Sequence, residues 1–147
     1  MFNFKLQTIL DVRKTLEDKV LQEFSQQQKE LQRENEQLQS IQLQKTALID
    51  ELRNVKGKTV NISEITVNAE YTRQCMKSEE LQKEQVKEAE RMADIKKEAL
   101  FDAIKKRKSM EILKTKQHNQ HQYDLNLVER TAIDEMVLVR HNRKKEE

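Results

Sequence analysis

The sequence is almost without the residues that make tight turns. It contains one Gly and no Pro among 147 residues, although turns are built largely from these two residue types. A compact domain of this length needs many chain reversals, so a globular fold made of several short elements is excluded. We expect few reversals and long, uninterrupted elements.

Other scarcities exclude further classes of protein. The single cysteine, Cys75, forms no internal disulfide, and no apolar run resembles a signal peptide or a membrane span. We therefore expect a reduced, cytosolic protein. Its 28 basic and 26 acidic residues are interleaved along the chain, which gives no global charge to support nucleic-acid binding.

The residues that are abundant favour long helices. Ala, Glu, Lys, Leu and Arg make up 69 of the 147 residues, a share typical of coiled coils. From Leu6 to Val55, apolar residues recur at spacings of three and four, which indicates a narrow seam that needs one partner helix. Arg13, Gln27, Glu34 and Lys45 fill the gaps of this seam. Its apolar members are Leu6, Ile9, Leu16, Val20, Phe24, Leu31, Leu38, Ile41, Leu48, Leu52 and Val55.

One reversal is predicted, near Gly57. This glycine follows the seam by two positions, where a left-handed helix C-cap would lie, and Asn61 with Glu64 forms a candidate capping box for the next helix. The predicted fold is all-α, an antiparallel two-helix coiled-coil hairpin with helix one at about 3–56, the turn at about 57–62 and helix two at about 63–142. The stripe predicted for helix two comprises Ala69, Met76, Val86, Ala93, Leu100, Ile104, Leu125, Val128, Ala132 and Met136.

The two predicted helices differ in length. If Val55 lies opposite the start of helix two, Leu6 is level with residues 108–116, and the last part of helix two extends beyond the N-terminus. That segment is rich in Leu, Ile, Met and Val, which is typical of a docking surface. In the alternative, the loop is longer, the pairing shifts, and Phe2 and Phe4 cover part of the segment.

Three short motifs suggest chemistry that their surroundings do not support. Residues 57–59, Gly-Lys-Thr, lack the earlier Gly of a phosphate-binding loop, and residues 61–63, Asn-Ile-Ser, fit a helix cap better than a glycosylation site. His118 and His121 share a helix face but lack a third fixed metal ligand. A two-helix hairpin has no concave interior for a substrate. We therefore expect no enzyme activity, no cofactor and no metal.

The most basic stretch, residues 96–116, contains eight basic and three acidic residues. A solvated coiled-coil face is the usual meaning of such a run, and attraction to an acidic protein partner is the alternative.

The N-terminal pattern Phe4-x-Leu6-x-x-Ile9-Leu10-x-x-Arg13 resembles the opening of the FliJ family, the coiled-coil stalk proteins of the bacterial flagellar type III export apparatus. Lys108-x-x-Glu111-x-Leu113, followed by Glu129 and the pair Asp134-Glu135 before a basic end, resembles that family's C-terminal pattern.

This resemblance implies a protein whose terminal end enters the pore of a hexameric export ATPase and whose hairpin tip reaches the membrane export gate. It also implies escort of export chaperones and a location in the cytoplasm, peripheral on the inner membrane at the flagellar base. The residues expected to contact the ATPase ring are Phe4, Leu6, Ile9, Arg13, Leu127, Glu129, Asp134, Glu135 and Arg140. Those expected to contact the gate are Leu43, Ile49, Val67 and Tyr71.

Two other functions remain open at this point. The equivalent stalk of a virulence type III secretion system shares the mechanism. The other is a generic coiled-coil chaperone of the jellyfish-like kind, which would need strands for its body, or a structural rod, which would give no reason for the terminal extension.

Overall fold

The computed structural model describes residues 2–54 and 61–143, and side chains as far as residue 141. It contains two helices, α1 (Gln7–Asn54) and α2 (Ile62–Arg143). Val55, Gly57 and most of the predicted turn lie outside the described residues. The packed helices confirm the predicted all-α hairpin of two antiparallel helices.

Asn61 caps the start of α2 as predicted, but its side chain accepts from Ser63 and not from Glu64 as the predicted capping box requires. The side-chain Oδ1 of Asn61 accepts a hydrogen bond from the backbone N–H of Ser63 at 3.2 Å, and the Asn61 carbonyl accepts one from the backbone N–H of Glu64 at 3.0 Å. Because the first N–H groups of a helix have no partner within it, an Asn at this position fixes where the helix begins.

The chain divides into two compact units. In the larger unit, residues 18–101, the two helices meet along positions spaced alternately by three and four residues. The predicted seam of α1 is confirmed here from Val20 to Leu52, including polar Gln27, Glu34 and Lys45, which are all half-buried.

The seam of α2 in this unit is more polar than predicted. Ala69 and Met76 are exposed, which corrects the prediction, and Thr72, Glu79 and Gln82 are buried instead. Val86, Ala89 and Ala93 form its apolar centre. The buried polar groups have partners: Gln82 donates from Nε2 to Oε2 of Glu34 at 2.6 Å and to the Glu34 carbonyl at 3.0 Å. A search for apolar residues alone misses such a seam.

The smaller unit contains residues 2–17 and 102–143. The side chain of Lys114 donates a hydrogen bond to Oε1 of Gln7 at 2.8 Å. Leu6 is next to Gln7, so the prediction that Leu6 lies level with residues 108–116 of α2 is confirmed. Ile9 and Leu16 were expected in the seam, and this is wrong: both are about half exposed, while Leu10 is 1% exposed. Arg13 and Glu17 are half-buried at the next two seam positions, and the Arg107 guanidinium on α2 pairs with Glu17.

Candidate functional site

Aromatic residues anchor the N-terminal segment on α2. Phe4 is buried, and the Lys114 ammonium lies 6.0 Å from its ring centroid. The Phe2 ring packs edge-on against His118 at 5.1 Å and tilted against His121 at 5.7 Å. Phe2 and Phe4 thus pack on residues 114–121, before the C-terminal extension, so the alternative in which they cover the extension is not what forms.

An ion-pair cluster lies about two helical turns from Lys114 along this pair. Nε of Arg107 donates to Oε2 of Glu17 at 2.5 Å, and Nη1 donates to Oε2 of Glu111 at 2.6 Å. These hydrogen bonds, chiefly the one to Glu17, raise the pKa of the Arg107 guanidinium. Because the cluster joins the two helices and is partly shielded from water, it fixes their register more firmly than a surface ion pair would.

Beyond residue 121, α2 has no partner helix among the described residues. We call residues 122–141 the overhang, and every side chain in it is exposed. Its large apolar members are all at least 45% exposed: Leu125, Leu127, Val128, Ile133, Met136, Val137, Leu138 and Val139. Single exposed apolar residues are ordinary, but a contiguous set of this size is typical of an interaction surface.

The end of the overhang has exposed apolar residues on several sides. Four consecutive residues, Met136 to Val139, are exposed, and successive side chains of a helix point about 100° apart, at 3.6 residues per turn. Together with Ala132 and Ile133 they place apolar side chains on several sides of the helix, with the exposed charged residues Asp134 and Glu135 between them. Apolar residues on more than one side of an exposed helix favour a partner that contacts more than one side of it.

The chain matches a family model over nearly its whole length. The model described as FliJ, flagellar FliJ protein, covers residues 2–146. The chain belongs to the FliJ family. Its members are structural or adaptor proteins of the flagellar type III export apparatus, with a stalk-like form, and they interact with other export proteins. None of the curated proteins or solved structures compared with this chain matches it.

The residues that the FliJ resemblance assigned to the ATPase ring fall into two groups. Phe4 is buried, and Leu6 and Arg13 are half-buried, so these three side chains are less accessible to a partner than the other residues of the set. The remaining ring residues are exposed: Ile9 on α1, and Leu127, Glu129, Asp134, Glu135 and Arg140 in the overhang.

The residues assigned to the export gate of the FliJ system all lie in the larger unit. Leu43, Val67 and Tyr71 are more than half exposed, and Ile49 is half-buried. Val67 also lines a shallow cavity of about 380 Å³ with Glu51, Ser63, Glu64 and Asn68. The side chains are therefore accessible at the end of this unit that is nearest the hairpin turn in sequence.

A buried carboxylate in the larger unit escaped sequence analysis. Glu79 accepts hydrogen bonds from Nζ of Lys45 at 2.5 Å, from Nζ of Lys83 at 2.8 Å and from Nε2 of Gln42 at 3.3 Å. The hydrogen bonds from Lys45 and Lys83 lower the pKa of Glu79 to about 2. Thr72, Glu79 and Val86 are spaced seven residues apart and are all buried. A heptad pattern that allows polar residues in the seam would therefore have identified Glu79.

Among the described residues there is neither a cluster of metal ligands nor a helix that could span a membrane. No three His, Cys, Asp or Glu side chains converge in them as a metal site would require, and the two histidines considered above face Phe2. Neither described helix has a stretch both long and apolar enough to span a bilayer.

Proposed function

We propose that this FliJ-family protein is the central stalk and adaptor of the flagellar export apparatus, and that its overhang enters the pore of the hexameric export ATPase. The observation that carries the proposal is that exposed apolar side chains of residues 132–139 lie on several sides of the overhang, interspersed with the charged residues Asp134 and Glu135. A flat docking surface would leave one face of such a helix in water, whereas the central channel of a ring covers every face.

The proposal includes promotion of ring assembly and of ATP turnover. A ligand that binds the assembled hexamer better than the free subunits shifts the equilibrium toward the hexamer by its difference in affinity. The paired helices of residues 2–17 and 102–121 would hold the overhang at the ring, because the Arg107 cluster and buried Leu10 tie the two helices together.

The larger unit is proposed to contact the cytoplasmic part of the membrane export gate. Support comes from the exposure of Leu43, Val67 and Tyr71, since aromatic and large aliphatic side chains dominate binding energy at protein interfaces. Escort of export chaperones, and a peripheral position on the cytoplasmic face of the inner membrane at the flagellar base, complete the proposal on the strength of family membership.

ATPase stimulation tests the first part. The full chain should raise turnover by the export ATPase, and a chain ending at Tyr123 should lose this effect while keeping its helical circular dichroism over the retained residues. Val137→Lys should lose it as well, and Asn126→Lys, at another exposed overhang position, should retain more of it. Undiminished stimulation by the truncated chain would contradict ring insertion.

Binding to the isolated cytoplasmic part of the gate protein tests the second part. Tyr71→Ala and Leu43→Ala should each weaken binding without changing helicity or ATPase stimulation, because both side chains are exposed. If both variants bind the gate as well as the parent chain, this surface is not the gate contact, even if ring insertion holds.

A further inference from the structure

A second apolar stripe runs along α1 in the smaller unit, away from the seam. Ile9, Val12 and Leu16 follow one another at spacings of three and four and are 46%, 52% and 45% exposed. The seam itself is occupied by Leu10 and Glu17, so the contact with α2 does not use these three side chains fully. They form a continuous apolar strip, which is more than the scattered exposed residues of an ordinary surface.

The surroundings of this stripe are positively charged. Residues 2–17 and 102–121 contain nine Lys and Arg but four Asp and Glu, and two of those carboxylates, Glu17 and Glu111, already bind Arg107. Lys5 is exposed and lies four residues before Ile9, just ahead of the start of α1. Lys106 is exposed and adjoins Arg107, whose partner Glu17 adjoins Leu16, so Lys106 lies within about one helical turn of Leu16 along the pair.

We propose that Ile9, Val12 and Leu16 form a docking face for an amphipathic helix of another protein, with apolar residues at three-four spacing and carboxylates along its edges. A third helix on a two-helix pair buries half-exposed aliphatic side chains by the helix-in-groove mode of recognition. The lysines select a negatively charged helix, since complementary charges steer association and reject like-charged partners. This inference goes beyond the stalk function and assigns to Ile9 a partner other than the ATPase ring, and its test uses the isolated protein without the ring.

The overhang of a second copy of this chain is the competing candidate for binding to this docking face. The overhang also carries more acidic than basic residues, four against two in residues 122–141. It has exposed apolar residues outside any single stripe, however, at Leu127, Ile133, Val137 and Leu138, so it lacks the polar outer face that a third helix keeps toward water. An amphipathic helix from another protein fits the face better.

Two synthetic helical peptides of equal length test the proposal. Both carry Leu at heptad positions a and d, and one carries Glu and the other Lys at positions e and g. Binding to the full-length protein is measured by fluorescence anisotropy at about 0.1 M salt, where exposed charges still interact at contact distance. The Glu peptide should bind about tenfold more tightly than the Lys peptide, because its charges complement those of the face. Equal affinities would overturn the proposal.

Variants locate the binding face. Val12→Asn and Leu16→Asn should weaken binding of the Glu peptide, and Lys106→Glu should reduce its advantage over the Lys peptide. Thr15→Asn is the matched control, since Thr15 is exposed on the same helix but outside the stripe. All four positions are exposed, so circular dichroism should show unchanged helicity. If Val12→Asn and Leu16→Asn bind like the parent, the face is wrong.

Sedimentation of the protein without peptide tests whether a second copy of this chain occupies the docking face. The parent and Val12→Asn should have the same association state. If the parent self-associates and Val12→Asn abolishes this, a second copy occupies the face and the proposal is overturned.

Discussion

Glu79 is a buried carboxylate that accepts hydrogen bonds from the ammonium groups of Lys45 and Lys83. Because Lys45 lies on α1, the charge of Glu79 contributes to the pairing of the two helices in the larger unit. The contacts with Lys45 and Lys83 lower its pKa from 4.5 to about 2. Burying a charge is unfavourable unless it is paired and hydrogen-bonded. The stabilisation from these contacts therefore depends on the carboxyl staying ionised.

The pH dependence of stability follows from the lowered pKa of Glu79. A group whose pKa is lower in the folded than in the unfolded state stabilises the fold fully above the unfolded value, and this contribution disappears as pH falls toward the folded value. Glu79→Gln should therefore reduce the free energy of unfolding at pH 7, and its difference from the parent should shrink between pH 4.5 and about 2. Urea unfolding followed by circular dichroism measures this. A difference that stays constant over that range would contradict the assignment.

Neighbouring residues Ile9 and Leu10 differ sharply in burial, at 46% and 1% exposed. Leu10→Ala removes fully packed methyl groups and should lower the free energy of unfolding by about 2–3 kcal/mol. Ile9→Ala should change it by about 0.5 kcal/mol or less, as exposed substitutions usually do. Chemical denaturation of both variants makes the comparison, and equal losses would show that the seam of the smaller unit has been misplaced.

At the scale of the elements, the helices were predictable and one of the seams was not. The α1 seam from Val20 to Leu52 is mostly apolar, so periodicity finds it. The α2 seam buries Thr72, Glu79 and Gln82, which periodicity of apolar residues passes over. Near the N-terminus, Ile9 and Leu10 both have the chemistry of a seam residue, and only the contacts of Gln7 and Glu17 with α2 decide between them.

The cap at Asn61 is a testable property of α2. Asn61→Ala removes the acceptor for the Ser63 backbone N–H and should cost about 1 kcal/mol in helix stability. Asn61→Asp keeps an acceptor at the same place and serves as the control. Amide hydrogen exchange in the first turn of α2 should accelerate about fivefold in the Ala variant, the factor equivalent to that energy. Equal protection in all three proteins would contradict the capping role.

At the scale of the whole molecule, the two units carry different surfaces. The paired part of the smaller unit is basic and continues into an apolar overhang, whereas residues 18–54 and 61–101 contain sixteen acidic and twelve basic residues. Sequence analysis found the overhang because its apolar residues exceed what the partner helix covers. The exposure of Ile9 and Leu16, by contrast, could not be predicted, because residue type alone does not tell which apolar residues of a helix face the partner helix. The contacts of α1 with α2 in the structure decide this.

Site-specific crosslinking tests ring insertion most directly. A photoreactive amino acid at Val137, in the overhang, should form an adduct with the export ATPase when the enzyme is assembled as a hexamer, and little with its free subunits. The same amino acid at exposed Gln26, in the larger unit, is the matched control and should give no such adduct. A crosslink from Gln26 as strong as that from Val137, or no crosslink from Val137 to the hexamer, would contradict a stalk that enters the ring by its overhang.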